Sequence, residues 1–126
     1  MRGTKDIETI LYNLLTDGKY SASAHAIPAS LGSTLPHIHV TRTGGYETDL
    51  VLEGHYVDFD VYAADLADAM EEAGNLCGWV RELVDTQPHA PCYATRILTL
   101  PYNNPDPRHQ DLGRVTFKAE LMTRTA

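Results

Sequence analysis

The amino-acid sequence predicts an α+β fold, a single antiparallel β-sheet with two main α-helices packed on one face. Three observations lead there. Apolar residues recur at helix spacing in two segments, residues 7–15 and 66–84; residues 55–63 and 114–121 alternate between apolar and polar; and the order along the chain is helix, strands, helix, strands. The 126 residues, 43% of them hydrophobic, suffice for one core. With no internal repeat, low-complexity tract or linker, residues 1–126 are expected to form one domain.

The first helix carries the stripe Ile7, Ile10, Leu11, Leu14 and Leu15. Thr4 is expected as its N-cap, with Asp6 in the first turn near the positive end of the helix dipole and Gly18 as the left-handed residue after its end. Residues 19–36 are small and polar without a sustained period, and predict at most a short edge strand followed by a loop. His37–Arg42 predicts a strand ending at Gly44-Gly45, which is a turn or a point of unusual backbone geometry. In the clearest strand His55, Val57, Phe59, Val61 and Ala63 point to the core, and Tyr56, Asp58, Asp60 and Tyr62 point to water.

Asp65 is then expected to cap a long helix with the stripe Leu66, Ala69, Met70, Ala73, Leu76, Cys77, Val80, Leu83 and Val84, ending near Thr86 before Pro88. Gly74 and Gly78 inside it cost about 1 kcal/mol each relative to Ala, so close packing is expected to offset them. After a turn over Pro88–Pro91, Cys92–Leu100 predicts a strand with Tyr93, Thr95 and Ile97 on one face. Gln110–Arg124 predicts the last strand, with Val115, Phe117, Ala119 and Leu121 inward and Arg114, Thr116, Lys118 and Glu120 outward.

Seventeen acidic and ten basic residues give a formal charge of −7, which disfavours binding to nucleic acid by phosphate neutralisation or to anionic lipid. The charge is uneven. Glu47–Asp85 holds eleven acids and one base, Arg81, for −10, while the rest of the chain sums to +3. An acidic side and a weakly basic side suit head-to-tail self-association; a solvated acidic helix face is the simpler account. No apolar run approaches a membrane span, and Met1–Asp6 lacks the apolar stretch of a signal peptide, so the protein is expected to stay where it is made. Two isolated cysteines, Cys77 and Cys92, are too few for a disulfide framework or a thiolate zinc site.

Asp58 and Asp60 lie on one strand face about 7 Å apart, with Lys118 and Glu120 on the same face if the strands share a sheet. Such a set could hold Mg²⁺ in a metal-dependent nuclease, or it could be cross-strand charge pairing. His37 and His39 share a strand face, but the six histidines (also His25, His55, His89 and His109) show no zinc-ligand spacing. Cys77 reads as a core residue, Cys92 has no activating signature, and Ser30 and Ser33 lack the glycines of a nucleophile elbow. No glycine loop for phosphate is present, and no cofactor is expected. The stretch Leu100-Pro101-Tyr102-Asn103-Asn104-Pro105 with Arg108 is different: its prolines predict a stiff loop, and Tyr and Arg are residue types that anchor protein interfaces.

Three segments in order, Leu35-Pro36-His37-Ile38-His39-Val40-Thr41-Arg42-Thr43-Gly44-Gly45, His55-Tyr56-Val57-Asp58-Phe59-Asp60-Val61-Tyr62-Ala63-Ala64 and Leu100-Pro101-Tyr102-Asn103-Asn104-Pro105, resemble the tail terminator proteins of long-tailed bacteriophages, especially those of actinobacterial hosts. The chain departs from that pattern at Asn103, where Asp is common, and at Asp106-Pro107, which separate Pro105 from the basic Arg108.

The resemblance implies an α+β virion protein without enzymatic activity. It would form a homohexameric ring on the end of the tail tube, stop polymerisation of the tail tube protein, and offer a docking surface to the head–tail connector protein at the tail–neck junction, after assembly in the host cytoplasm. Ejected DNA would pass through the ring without specific binding, and an acidic surface built from Asp58, Asp60, Asp65, Asp68, Glu71 and Glu72 is expected to keep it from sticking. Another neck ring, a head-completion or head-to-tail joining protein, is the alternative within this class, and a nuclease using Asp58 and Asp60 the alternative outside it.

Overall fold

The computed structural model describes residues 3–48, 51–84 and 92–125. Its elements in chain order are α1 (Ile7–Asp17), β1 (Ser21–Ala24), β2 (His37–Glu47), β3 (Leu52–Ala63), α2 (Leu66–Arg81), β4 (Ala94–Asn103) and β5 (Gly113–Arg124), with short 3-10 turns at Leu31–Ser33 and Glu82–Val84. The five strands form one sheet in the order β1-β2-β3-β5-β4. The fold is α+β and the sheet mostly antiparallel. The exception is β1, which runs parallel to β2 and places Ser21 beside His37 and Ser23 beside His39.

Both helices cover the same face. Ile7, Leu11 and Leu15 of α1 and Ala69, Ala73, Leu76, Cys77 and Val80 of α2 join one core with Val57, Phe59 and Val61 of β3 and Val115, Phe117, Ala119 and Leu121 of β5. The alternation of β3 and β5 therefore sets the inner face as the sequence predicts. At its centre the Phe59 and Phe117 rings stack across the strands, with centroids 4.9 Å apart and planes 8° from parallel. Their register pairing, Phe59 opposite Phe117, makes that stack possible.

Local details differ from expectation where the backbone finds another partner. Asp6, not Thr4, caps α1, its carboxylate accepting from the Thr9 amide at 3.2 Å. Gly18 has φ −78, and Lys19, at φ 68, takes the left-handed position instead. Asp65 caps α2 as expected, accepting from the Asp68 amide at 2.8 Å. The Gly44-Gly45 pair does not end β2. The strand continues to Glu47 through a register shift between Arg42 and Gly44, and Gly44 at φ +132 supplies the backbone geometry of that bulge. The expected turn over Pro88–Pro91, the helix end near Thr86 and His89 lie outside the described residues.

Gly74 and Gly78 are not packed closely: a Cβ at either would meet nothing within 4 Å. They flank the buried stripe of α2, whose apolar contacts hold the helix despite them. Gly113 is the glycine that close approach requires, because a Cβ there would lie 2.5 Å from the Asp65 backbone. It lets the start of β5 pass under the N-cap of α2.

Phe117→Ala is expected to cost about 3–5 kcal/mol through lost burial and a partly collapsed cavity. Urea unfolding should show a lower midpoint at unchanged slope. Gly74→Ala, in open space on the exposed side of a helix, is expected to stabilise by about 1 kcal/mol in the same assay.

Candidate functional site

The face of the sheet turned away from the helices carries most of the sequence-selected polar residues. Even-numbered side chains of β3, from Tyr56 to Tyr62, point there together with Arg114, Thr116, Lys118 and Glu120 of β5. Asp58 sits opposite Lys118 and pairs with it at 3.4 Å. Asp60 accepts from the Thr116 hydroxyl at 2.7 Å, and Thr116 in turn accepts from the Asn104 amide at 3.1 Å. Burial raises the Asp60 carboxyl above its usual range, with the Thr116 hydroxyl opposing. Among the described residues no three His, Cys, Asp or Glu side chains come together as metal ligands. Both aspartates thus have a cross-strand neighbour, although the buried Asp58 Oδ1 makes no hydrogen bond among the described residues.

The six residues expected to form one acidic surface are divided between two faces. Asp58 and Asp60 lie on the open sheet face, whereas Asp65, Asp68, Glu71 and Glu72 occupy the first turns of α2 on the other. The reason is the strand period of two, which sends Asp58 and Asp60 opposite to the core residues that α2 covers. Asp65 and Asp68 are exposed, and Asp68, Glu71 and Glu72 border a shallow pocket with Leu35 and Pro36.

The expected loop Leu100–Arg108 begins as strand. Leu100, Pro101, Tyr102 and Asn103 belong to β4, an edge strand whose register with β5 shifts between Ile97 and Thr99 and again between Thr99 and Tyr102. Pro101 falls in the second irregularity, where a missing N–H breaks no regular ladder. Asn104 and Pro105 open the loop 104–112, and Arg108 is exposed on it. Along β4 and just before it, Tyr93 (55%), Leu100 (67%) and Tyr102 (44%) are large apolar side chains left in water.

The loop is held down by side chains that the periodicity assigned to water. Tyr62 is fully buried on the open face, and its hydroxyl donates to Asp106 at 2.8 Å. Asp106 also accepts from His109 Nδ1 at 3.0 Å and from the Arg108 amide at 2.9 Å. Burial works to raise the Asp106 carboxyl, but the Arg108 amide, His109, Tyr62 and Arg114 outweigh it and hold it at about 2. The Tyr62 phenol is pushed up to about 12, first by burial and then by Asp106. Arg114 donates to the Asn104 and Pro105 carbonyls and reaches the Tyr62 hydroxyl at 3.5 Å. The sequence signal for this latch was an aromatic residue on the polar face of β3 and an aspartate inside a proline-rich loop.

The histidines have separate roles. Ser21 Oγ lies 2.8 Å from His37 Nδ1, Ser23 Oγ 2.8 Å from His37 Nε2 and 2.7 Å from His39 Nδ1, forming one chain of four side chains. His55 is inside the helix-covered face. Arg42 Nε donates to its Nδ1 at 2.8 Å, so its proton sits on Nε2, which faces Glu53 at 3.1 Å and Thr123 at 3.2 Å. His25 is exposed and pairs with Glu8 at 3.2 Å. Both cysteines are buried, and burial pushes the Cys77 thiol up and the Cys92 thiol to about 11, which makes neither a ready nucleophile.

Burial, first among the causes, depresses His37, His39 and His55 below the ordinary imidazole value. The unfolded chain then takes up protons that the folded chain refuses, so their contribution to stability is full above about pH 6.5 and is lost as pH falls from there through the folded values. Asp60 acts with the opposite sign, as one carboxyl against three imidazoles. Thermal melts are expected to show a lower Tm at about pH 5.5 than at about pH 7.5, and His39→Gln should shrink that difference. Compared with models of known protein families and with curated proteins, the chain matches none.

Proposed function

We propose that this chain is a virion structural protein of the tail terminator kind, a ring subunit that caps a phage tail tube and acts by shape and interface chemistry, not by turnover. The observation that carries the reading is the edge of β4. Leu100 and Tyr102 are exposed on this outermost strand, in the segment whose residues bear the resemblance, and Tyr93 is exposed just before the strand begins. Exposed apolar side chains on an unpaired edge are a liability for a monomer and a resource for an assembling subunit. The bulges and Pro101 keep that edge from templating open-ended strand addition, which suits a closed ring.

In this reading six copies meet through unlike surfaces around the ring, one side of which contacts the tail tube protein and the other the head–tail connector protein at the tail–neck junction. The exposed acids of α2, Asp65, Asp68 and Glu71, supply a surface past which DNA moves without being held.

The test is to add the purified chain to tail tube protein during polymerisation and examine the products by electron microscopy. Shorter tubes with a ring at one tip are expected. Unchanged tubes would refute the reading, and binding to filled heads in place of tube tips would assign the chain to another neck ring. Leu100→Asp combined with Tyr102→Asp should abolish capping while changing unfolding stability by no more than about 0.5 kcal/mol per site, since both side chains are in water.

A further inference from the structure

The open sheet face ends in a groove of about 670 Å³ between the segment His25–Ala29 and the loop 104–112. Its size lies within the range of small-molecule sites, roughly 300–1,000 Å³. His39, Asp106, Arg108, His109 and Arg114 line it. Two of these are guanidinium groups with N–H donors to spare. Among the described residues Arg108 uses only its backbone amide, and Arg114 spends three of its five N–H groups on Asn104, Pro105 and Tyr62, with its NH1 also 3.9 Å from Asp106. The one carboxylate in the lining, Asp106, is already engaged by three donors.

Three imidazoles line the groove; His25 is paired with Glu8, and His39 and His109 each have a ring nitrogen left over. His39 is only 8% exposed, and with Nδ1 held by Ser23 its remaining ring nitrogen, Nε2, has no partner among the described residues. The Ser21–His37–Ser23–His39 chain can run with each hydroxyl donating toward His39, which leaves a proton on Nε2 as a donor. His109 is fixed the other way. An ionised Asp106 only accepts, so His109 turns an Nδ1–H toward it, and in the neutral imidazole Nε2 is then an acceptor.

We propose that this groove is a binding site for a phosphate group, held by Arg108, Arg114 and His39 as donors and by His109 as acceptor of a P–O–H proton. Near neutral pH inorganic phosphate keeps a P–O–H proton in both of its forms, so it both accepts and donates. A carboxylate is planar and only accepts, so it leaves the His109 lone pair unmatched. Free inorganic phosphate fits this pattern; the terminal phosphate of a nucleotide, which loses its second proton near about pH 6, fits it only as the monoanion. A groove of about 670 Å³ has room for either.

The experiment is a histidine and backbone-amide NMR titration of the full chain with sodium phosphate up to roughly 50 mM at constant ionic strength, so that screening does not change. Parallel arms use a deoxynucleoside 5′-monophosphate and sodium acetate. Saturable shifts of the His39 and His109 ring signals are expected with phosphate and not with acetate. Arg108→Ala, at an exposed position, should weaken binding about tenfold, the effect of one lost charge-assisted contact. Arg96→Ala, on the outer strand away from the groove, should leave it unchanged. Tighter binding of the nucleotide names a nucleotide as the source, and equal binding names the free ion. Absence of saturation, an equal response to acetate, or indifference to Arg108→Ala overturns the proposal. None of these readouts depends on ring formation, so it stands or falls apart from tube capping.

Discussion

The structure hangs on β3, which is paired along its whole length to β5 and over Glu53–Tyr62 to β2. A strand in that position has no free edge, so its period of two is imposed on both neighbours. Val57, Phe59 and Val61 fix which side the helices must cover, and the Phe59–Phe117 stack locks β5 to the same choice. A slip of one residue would send Asp58 and Asp60 into the core, at a cost no short strand could withstand.

The same constraint creates the open face. Side chains sent away from the helices have no helix layer above them and find partners on neighbouring segments: Tyr46 with Glu120, Asp60 with Thr116, Tyr62 with Asp106 of the loop, and Asp58 beside Lys118 with its Oδ1 making no hydrogen bond among the described residues. At one end the chain folds back over its own sheet. Arg114 grips the carbonyls of Asn104 and Pro105, and Asp106 gathers donors from Tyr62, His109 and Arg108. A charge saturated in this way holds a loop in place without needing an apolar layer beneath it.

The helix-covered face also contains polar groups, at the end nearest the N-terminal segment. His55 is fully buried between Arg42 and Glu53, and Glu53 accepts the Lys5 amide at 3.0 Å. This network ties the residues before α1 to the sheet through directional contacts, while Ile7, Leu11 and Leu15 of α1 add apolar ones. Glu8 adds a second tie, accepting the Arg42 amide at 3.0 Å. Placing α1 thus depends on hydrogen bonds at one end and on Leu11 and Leu15 along its length.

The periodic features were legible in the sequence because each is a local repetition: the stripes of α1 and α2, the alternation of β3 and β5, the cap at Asp65. Unusual backbone at Gly44-Gly45 was legible too, but the continuation of β2 beyond it, the burial of Tyr62 and the position of Leu100–Asn103 in a strand were not, because each depends on what a distant segment places alongside. Ser21 and Ser23 read as residues of a small polar stretch until parallel pairing set them beside His37 and His39. Asp106 read as an interruption between Pro105 and Arg108 until the loop brought it onto Tyr62. By itself the sequence determined the α+β class, the inner face of the sheet and the helix that Asp65 begins, since hydrophobic periodicity needs only near neighbours. Tertiary structure alone decided which polar residues share the open face and how the groove is lined, since hydrogen-bond partners 14 to 74 residues apart in the chain become neighbours only when the sheet closes.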